Sequence, residues 1–375
     1  MRFADIPGLG AAKEQLIHAI KSNHVAHAQL FYGQEGSANL ALALAYATYI
    51  NCKNPTDSDS CGTCDSCTKM DKLVHPDLQF VFPVSSTKSV TGKNVVSSSY
   101  LKEWRAFLSD NKYGNLVDWS EHYGAENKQA NISKEESRNI IKSLTLKSFE
   151  AEYKVMIIWL PEYMNVSAAN GILKILEEPA EKTLFLLVTC EYERLLTTIL
   201  SRCQLFKVPA FSDEEIKNYL IEAKGIEAGK AKKIAALAEG SLQAAVENID
   251  STEDDAHVMF RDWMRQCWVK DFTSLNSTND SFSKLSKTGQ KLFLQYALNM
   301  MRQAVVSEYL VDEKEKLNDS EKDFAVKFGK ALTTQKLEKI SEEFSKAHYH
   351  LERNANVKIL FLDLSLTVGR IMTAA

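Results

Sequence analysis

The chain has 375 residues, 45% of them hydrophobic and 25% charged, with a formal net charge of −4. That length suggests two or three domains at roughly 100–200 residues each, with an ordinary globular composition, and the charge excludes binding of nucleic acid through overall basicity, so any DNA contact is local or shared with partners. No stretch approaches the ~18–20 apolar residues of a membrane span and MRFADIPGLG lacks the apolar run of a signal peptide, so a cytoplasmic protein with no membrane contact is expected.

AAKEQLIHAIK at 11–21 places Leu16, Ile17 and Ile20 at helical spacing. Gln29–Tyr32 then form a short buried strand ending at Gly33, and the turn GQEGSANL leads into the Ala-rich helix former ALALAYATYI. Strand, loop and helix in that order open a nucleotide-binding α/β domain. Residues 51–77 hold four cysteines and little else that is hydrophobic. Residues 84–133 are rich in Ser, Lys and Asn, with aromatic islands at Trp104, Phe107, Trp119 and Tyr123, and are expected to be a partly mobile insertion. SKEESRNIIKSLTLKSF at 133–149 predicts a helix with Ser133 and Glu136 in a capping-box pattern.

YKVMIIWL and TLFLLVTC have the length and composition of buried strands. Between them NVSAANGILKILEE reads as a helix stopped by Pro179, and after them LLTTILSRCQLFKV reads as a helix and a short strand. Strands alternating with helices imply a parallel α/β sheet. Past Pro209 the pattern is helical only: three short helices at 212–248, then mainly helix over 251–375. The charged run DEKEKLNDSEKD at 312–323 is expected to be a solvated helix end or loop.

Cys52, Cys61, Cys64 and Cys67 are spaced C-x8-C-x2-C-x2-C. Four thiolates on short loops can surround one tetrahedral Zn²⁺ and leave no open position for a water, which makes the site structural. An iron–sulfur cluster also uses four cysteines, and unrelated free thiols are the plainer reading; zinc is favoured because no redox setting accompanies the cluster and exposed thiols rarely crowd this way. His75 is a possible substitute ligand. Lys53 is the only basic residue between Cys52 and Cys67, against Asp57, Asp59 and Asp65, which makes a poor phosphate-binding surface for a zinc-dependent DNA module.

GQEGSANL occupies the place of a phosphate loop, whose active form is G-x-x-x-x-G-K-[ST]. Gly33 and Gly36 remain as turn glycines, but Ala38 fills the last glycine position, Asn39 the Lys position and Leu40 the hydroxyl position. The acidic pair expected after the next buried strand is reduced to Glu162, behind Leu160 and Pro161. Cation, magnesium ligand and acidic pair are all degraded, which argues against hydrolysis and makes ATP binding unexpected.

IPGLGAAKEQL, HAQLFYGQEG, the four cysteines, KVMIIWLPEYMN, ANGILKILEEP, TLFLLVTC, LLTTILSRCQ and AEGSLQAA stand in order over roughly residues 1–248. In this set the chain resembles the clamp-loader family of AAA+ proteins of bacterial DNA polymerase III. The resemblance implies a RecA-like AAA+ α/β domain over 1–208, with a zinc module at 51–77 and an insertion at 84–133. It further implies a three-helix lid over 209–250 and an all-α collar domain over 251–375. It implies gamma/tau and delta subunits as partners, and through the assembly the sliding clamp and primed DNA. Within SRC, Ser201 and Arg202 would face a neighbour's ATP site, where a permanent forked cation stabilises charge on a γ-phosphate; a structural salt bridge at a helix end is the plainer alternative. Active members carry an arginine where this chain has Gln243, and Cys190 stands at a sensor position, where a buried core cysteine is the favoured reading. Gamma/tau motors keep the P-loop lysine, and the delta subunit typically lacks both zinc cysteines and SRC. A non-catalytic subunit that keeps SRC and loses the P-loop fits best, a divergent active ATPase using Glu162 being the alternative.

Overall fold

The protein is described from a computed structural model, over residues 1–125, 128–144, 148–249, 253–285, 287–306, 319–352 and 355–374. The chain divides into two compact units: Met1–Ala235 with Glu239–Gln243, and Ala236–Ala238 with Ala244–Ala375.

The first unit is built on a parallel sheet. Helix α1 (Gly10–Lys21) precedes strand β1 (Ala28–Tyr32) and helix α2 (Asn39–Ile50). Helix α3 (Asp65–Asp71) closes the cysteine segment, and β2 (Leu78–Val81) follows it. The insertion contributes α4 (Leu101–Asp110) and α5 (Leu116–His122), and α6 (Lys134–Leu144) leads back to the sheet. Then come β3 (Lys154–Trp159), α7 (Val166–Glu177), β4 (Thr183–Thr189), α8 (Thr197–Leu200) and β5 (Gln204–Lys207). The strand order is β2-β3-β4-β1-β5, with every neighbouring pair parallel.

β3 and β4 are buried at every position, as continuous apolar strands covered on both faces must be. On one face Leu30, Met156, Ile158, Phe185 and Leu187 pack against Ile140 of α6 and Ile172 and Leu176 of α7. α2 is buried along its whole length. Its alanines let it pack closely against β1, β3 and β4, and a helix apolar all round belongs in a core.

Two local expectations are corrected. The apolar run LQFV forms strand β2, beyond the elements expected from the sequence. Glu136 does not close a capping box on Ser133: its carboxylate accepts the Ser97 backbone N–H at 2.6 Å, and burial raises its pKa. The aromatic islands at 104–123 are buried. Trp104 stacks on Phe82 at 4.2 Å, meets Trp119 edge-on at 5.0 Å and packs on Trp159. Trp119 donates its indole N–H to the Pro83 carbonyl at 2.9 Å. Rings of this size bury enough apolar area to anchor the insertion on Phe80, Phe82 and Trp159 beside the sheet.

After β5 come α9 (Asp213–Lys224), α10 (Ala228–Leu237) and α11 (Leu242–Glu247). α9 starts on a Ser212–Glu215 capping box and ends on Gly225 at positive φ.

The second unit continues helically: α12 (Glu253–Val269), α13 (Phe272–Lys284), α14 (Lys287–Val306), α15 (Asp319–Ala331), α16 (Thr334–Glu352) and α17 (Val357–Thr373). Phe260, Trp263, Phe282, Phe293, Phe344 and Phe361 form its centre. Of the charged run at 312–323, residues 312–318 lie outside the described residues. No helix among the described residues is long and apolar enough to cross a membrane.

Candidate nucleotide site, metal centre and half-buried arginine

The P-loop-like turn joins β1 to α2 at the carboxyl end of the sheet, where open α/β sheets bind ligands. Gly36 has φ +76°, and a Cβ there would lie 2.0 Å from Ser241 Oγ. Gly33 is held by close approach instead: a Cβ would meet the Val208 carbonyl at 2.6 Å. Asn39, in the lysine position, turns back onto its own loop. Its Nδ2 donates to the Gly33 and Gln34 carbonyls at 3.2 Å each, and its Oδ1 accepts from Ser37 Oγ at 3.0 Å. An amide in that posture braces the turn and offers no cation to a phosphate.

Leu160 follows β3 in the left-handed region, at φ 53°, an uncommon conformation for a bulky residue. It turns the chain so that Glu162 enters the space in front of the loop. Glu162 Oε2 is buried with no hydrogen-bond partner among the described residues, and burial pushes its carboxyl up to about 7. Burial likewise pushes the Cys190 thiol up to about 12, and Asn39 Nδ2 lies 3.7 Å from its sulfur.

Gly36, Asn39, Leu40, Glu162 and Cys190 thus share one cavity of about 50 Å³. That is room for a few waters, far below the ~300–1,000 Å³ of small-molecule pockets. Lys112–Leu116 of the insertion form its remaining wall, a feature no sequence pattern announced.

The four cysteines converge. Their Sγ atoms all lie within 4.8 Å of one another, with Cys61 and Cys67 at 3.9 Å. Tetrahedral Zn–S bonds of ~2.3 Å place sulfurs ~3.8 Å apart, so the donor set fits zinc. Backbone N–H groups of Cys61, Cys64 and Cys67 point at the sulfurs of Cys52, Cys61 and Cys64, at 3.2–3.5 Å. Donation from Thr63 and Cys64 lowers the Cys61 thiol, whereas burial raises those of Cys52 and Cys67, so the backbone donors favour thiolate at only part of the cluster. His75 is outside the cluster: its Nδ1 accepts the Asp77 N–H at 3.1 Å and its Nε2 lies 3.5 Å from Glu150.

Ser201 caps α8, and Arg202 follows it at the first unit's surface, away from the cavity lining. Its guanidinium reaches Glu177 at the end of α7 and the Thr198 carbonyl at 2.9 Å. The sequence-derived residues therefore fall in three places: a shared cavity, a thiolate cluster and a surface arginine.

These features define an α/β protein with a nucleotide-binding-type loop stripped of its cation and with a four-cysteine centre. The family described as DNA polymerase III, delta subunit, matches residues 9–212, more than half of the chain, and the protein belongs to the DNA polymerase III clamp-loader family. The chain is 25% identical to DNA polymerase III subunit tau/gamma of Haemophilus influenzae, over 66% of this chain and 30% of that one. It is 26% identical to subunit delta' of Bacillus subtilis, over 55% and 49%, and 28% identical to that of Pseudomonas aeruginosa, over 48% and 42%. The aligned stretches thus span half or less of each of these relatives' lengths. A gamma subunit-related protein from Thermotoga maritima superposes with a TM-score of 0.42 at 14% identity, covering 95% of this chain and 100% of that one.

Proposed function

We propose that this chain is a non-catalytic, delta-prime-type subunit of a bacterial DNA polymerase III clamp loader. It supports ATP-driven loading of the sliding clamp on primed DNA by donating Arg202 in trans to a neighbouring gamma/tau subunit. Ser201 holds the turn that presents Arg202, and a structural Zn²⁺ sits on Cys52, Cys61, Cys64 and Cys67. In this reading residues 1–208 are the RecA-like AAA+ domain, 209–250 the lid and 251–375 the collar that joins gamma/tau and delta subunits.

The observation that carries the reading is the posture of Asn39. The residue in the lysine position satisfies the carbonyls of Gly33 and Gln34 and leaves the loop without a positive charge, while Arg202 stays at the surface. ATP turnover of the pure chain, alone and mixed with the same organism's gamma/tau and delta subunits, clamp and primed DNA, tests it. Silence alone with a requirement in the mixture supports the reading; turnover alone at a comparable rate sinks it.

Two observations favour a second reading, a divergent gamma/tau-like ATPase: several of the similar relatives are tau or gamma subunits, and the Glu162 carboxyl faces the cavity with a pKa suited to a general base. Turnover by the pure chain that disappears in Glu162→Gln would select it.

A further inference from the structure

The wall that Lys112–Leu116 builds in front of the P-loop-like turn is joined to that turn directly at one point, and indirectly through Asp118 and residues 239–243. Asn115 Nδ2 donates to Glu35 Oε1 at 3.0 Å. Asp118 Oδ2 accepts the Asn115 backbone N–H at 2.9 Å and also the side-chain amide of Gln243. The Leu242 and Gln243 backbone N–H groups in turn donate to the Gly36 carbonyl at 2.9 and 3.4 Å. Tyr113 packs edge-on against Phe211 at 6.0 Å, and Gln34 donates to the Glu239 carbonyl at 2.8 Å. The circuit runs from loop to insertion to 239–243 and back to the loop, with each polar link made by an uncharged donor or a capped carboxylate.

We propose that the tip of the insertion, Lys112–Leu116, is a built-in occupant of this pocket: it shuts nucleotide out and reinforces the direct tie between residues 33–40 and 239–243. The inference deepens the non-catalytic reading. It says that loss of nucleotide here rests on a covering segment as well as on the missing lysine and hydroxyl. It also gives the Gln243 side-chain amide its role as a donor to Asp118.

Binding of a fluorescent Mg·ATP analogue separates the two causes. The full chain and an Asn39→Lys/Leu40→Thr variant should both fail to bind. The same double variant with residues 112–116 replaced by a Gly–Ser linker of equal length should bind at least tenfold more tightly. Equal binding with the insertion intact overturns the proposal. If neither double variant binds, hydrogen exchange decides. Asn115→Ala/Asp118→Ala in the otherwise native chain should speed exchange of amides in 33–40 at least tenfold while those of β4 stay protected; unchanged exchange in 33–40 overturns it. ATP turnover by the native chain would refute the non-catalytic reading separately, because that result does not depend on where the tip lies.

Discussion

Arg202 and Glu177 form a side-on pair: Nε and Nη2 both approach the same carboxylate oxygen, at 3.2 and 2.9 Å. Glu177 ends α7 and Arg202 follows α8, so the pair ties two helix ends beside the sheet. The glutamate side chain is 58% exposed, and a solvent-screened pair of this kind contributes roughly 0–1 kcal/mol. The arginine side chain is 29% exposed and also donates to the Thr198 carbonyl at 2.9 Å, so in the proposed role it leaves these partners for a neighbour's phosphate. In the proposed role Arg202→Ala should lower partner-stimulated ATP turnover by about 10³-fold or more, while the chain's own stability falls by only about 1–2 kcal/mol from the lost contacts to Glu177 and Thr198. Glu177→Ala should keep full stimulation. Steady-state ATPase of the mixed subunits and urea denaturation of the pure chain read the two effects. Undiminished stimulation by Arg202→Ala would leave the pair as a helix-end salt bridge.

The cysteine cluster predicts about one zinc per chain. Cys64→Ser should abolish stoichiometric metal, because Cys64 both offers a sulfur and starts α3, where that sulfur accepts the Cys67 N–H. A structural tetrathiolate site carries folding free energy in its metal bonds, so a strong chelator should lower the melting temperature of the native chain and leave Cys64→Ser unaffected. Elemental analysis showing iron with visible absorption bands in place of zinc would replace the assignment by an iron–sulfur cluster.

The legible parts of this molecule were those written in neighbouring residues. KVMIIW and TLFLLVT announce buried parallel strands because each is apolar throughout and strand-length. Asn39 announces a loop without its cation because the residue type itself carries the chemistry. The cysteine spacing announces a four-sulfur cluster of the kind that could hold a metal. What stayed hidden depends on contacts between distant positions. Asn115 and Glu35 are 80 residues apart, and no local pattern says that a Ser- and Asn-rich insertion folds over the loop. Glu136 matches a capping box by spacing, yet Ser97 offers its N–H within a buried pocket, and tertiary burial wins over the local motif.

Trp119 is the test of whether the insertion is a folded body. It is fully buried, packs on Trp104 and Phe107, and donates to the Pro83 carbonyl. Trp119→Ala should cost about 3–5 kcal/mol, the range for removing a large buried ring. Trp268, which is 41% exposed, serves as the control, and Trp268→Ala should stay within about 0.5 kcal/mol. Denaturant titrations of both variants check this. A Trp119→Ala cost below about 1 kcal/mol would mean that the aromatic cluster adds little to the fold.

Glu162 makes stability depend on pH in a definite direction. Burial raises its carboxyl from 4.5 to about 7 in the folded chain, so between those values the folded state holds a proton that the unfolded state has released. Stability tied to this residue is then complete below about pH 4.5, falls as pH rises through the window and is lowest above about pH 7. The displacement corresponds to at most about 3.5 kcal/mol at ~1.4 kcal/mol per pH unit. Glu162→Gln keeps the shape and removes the charge, so it should be close to neutral at pH 4.5 and stabilising at pH 8, with the slope between them reduced. Urea titrations of native and variant chains at the two pH values measure this difference directly. A variant no more stable than the native chain at pH 8 would show that the carboxylate is solvated in the folded protein, and would reopen the cavity in front of Asn39 to water and ligands.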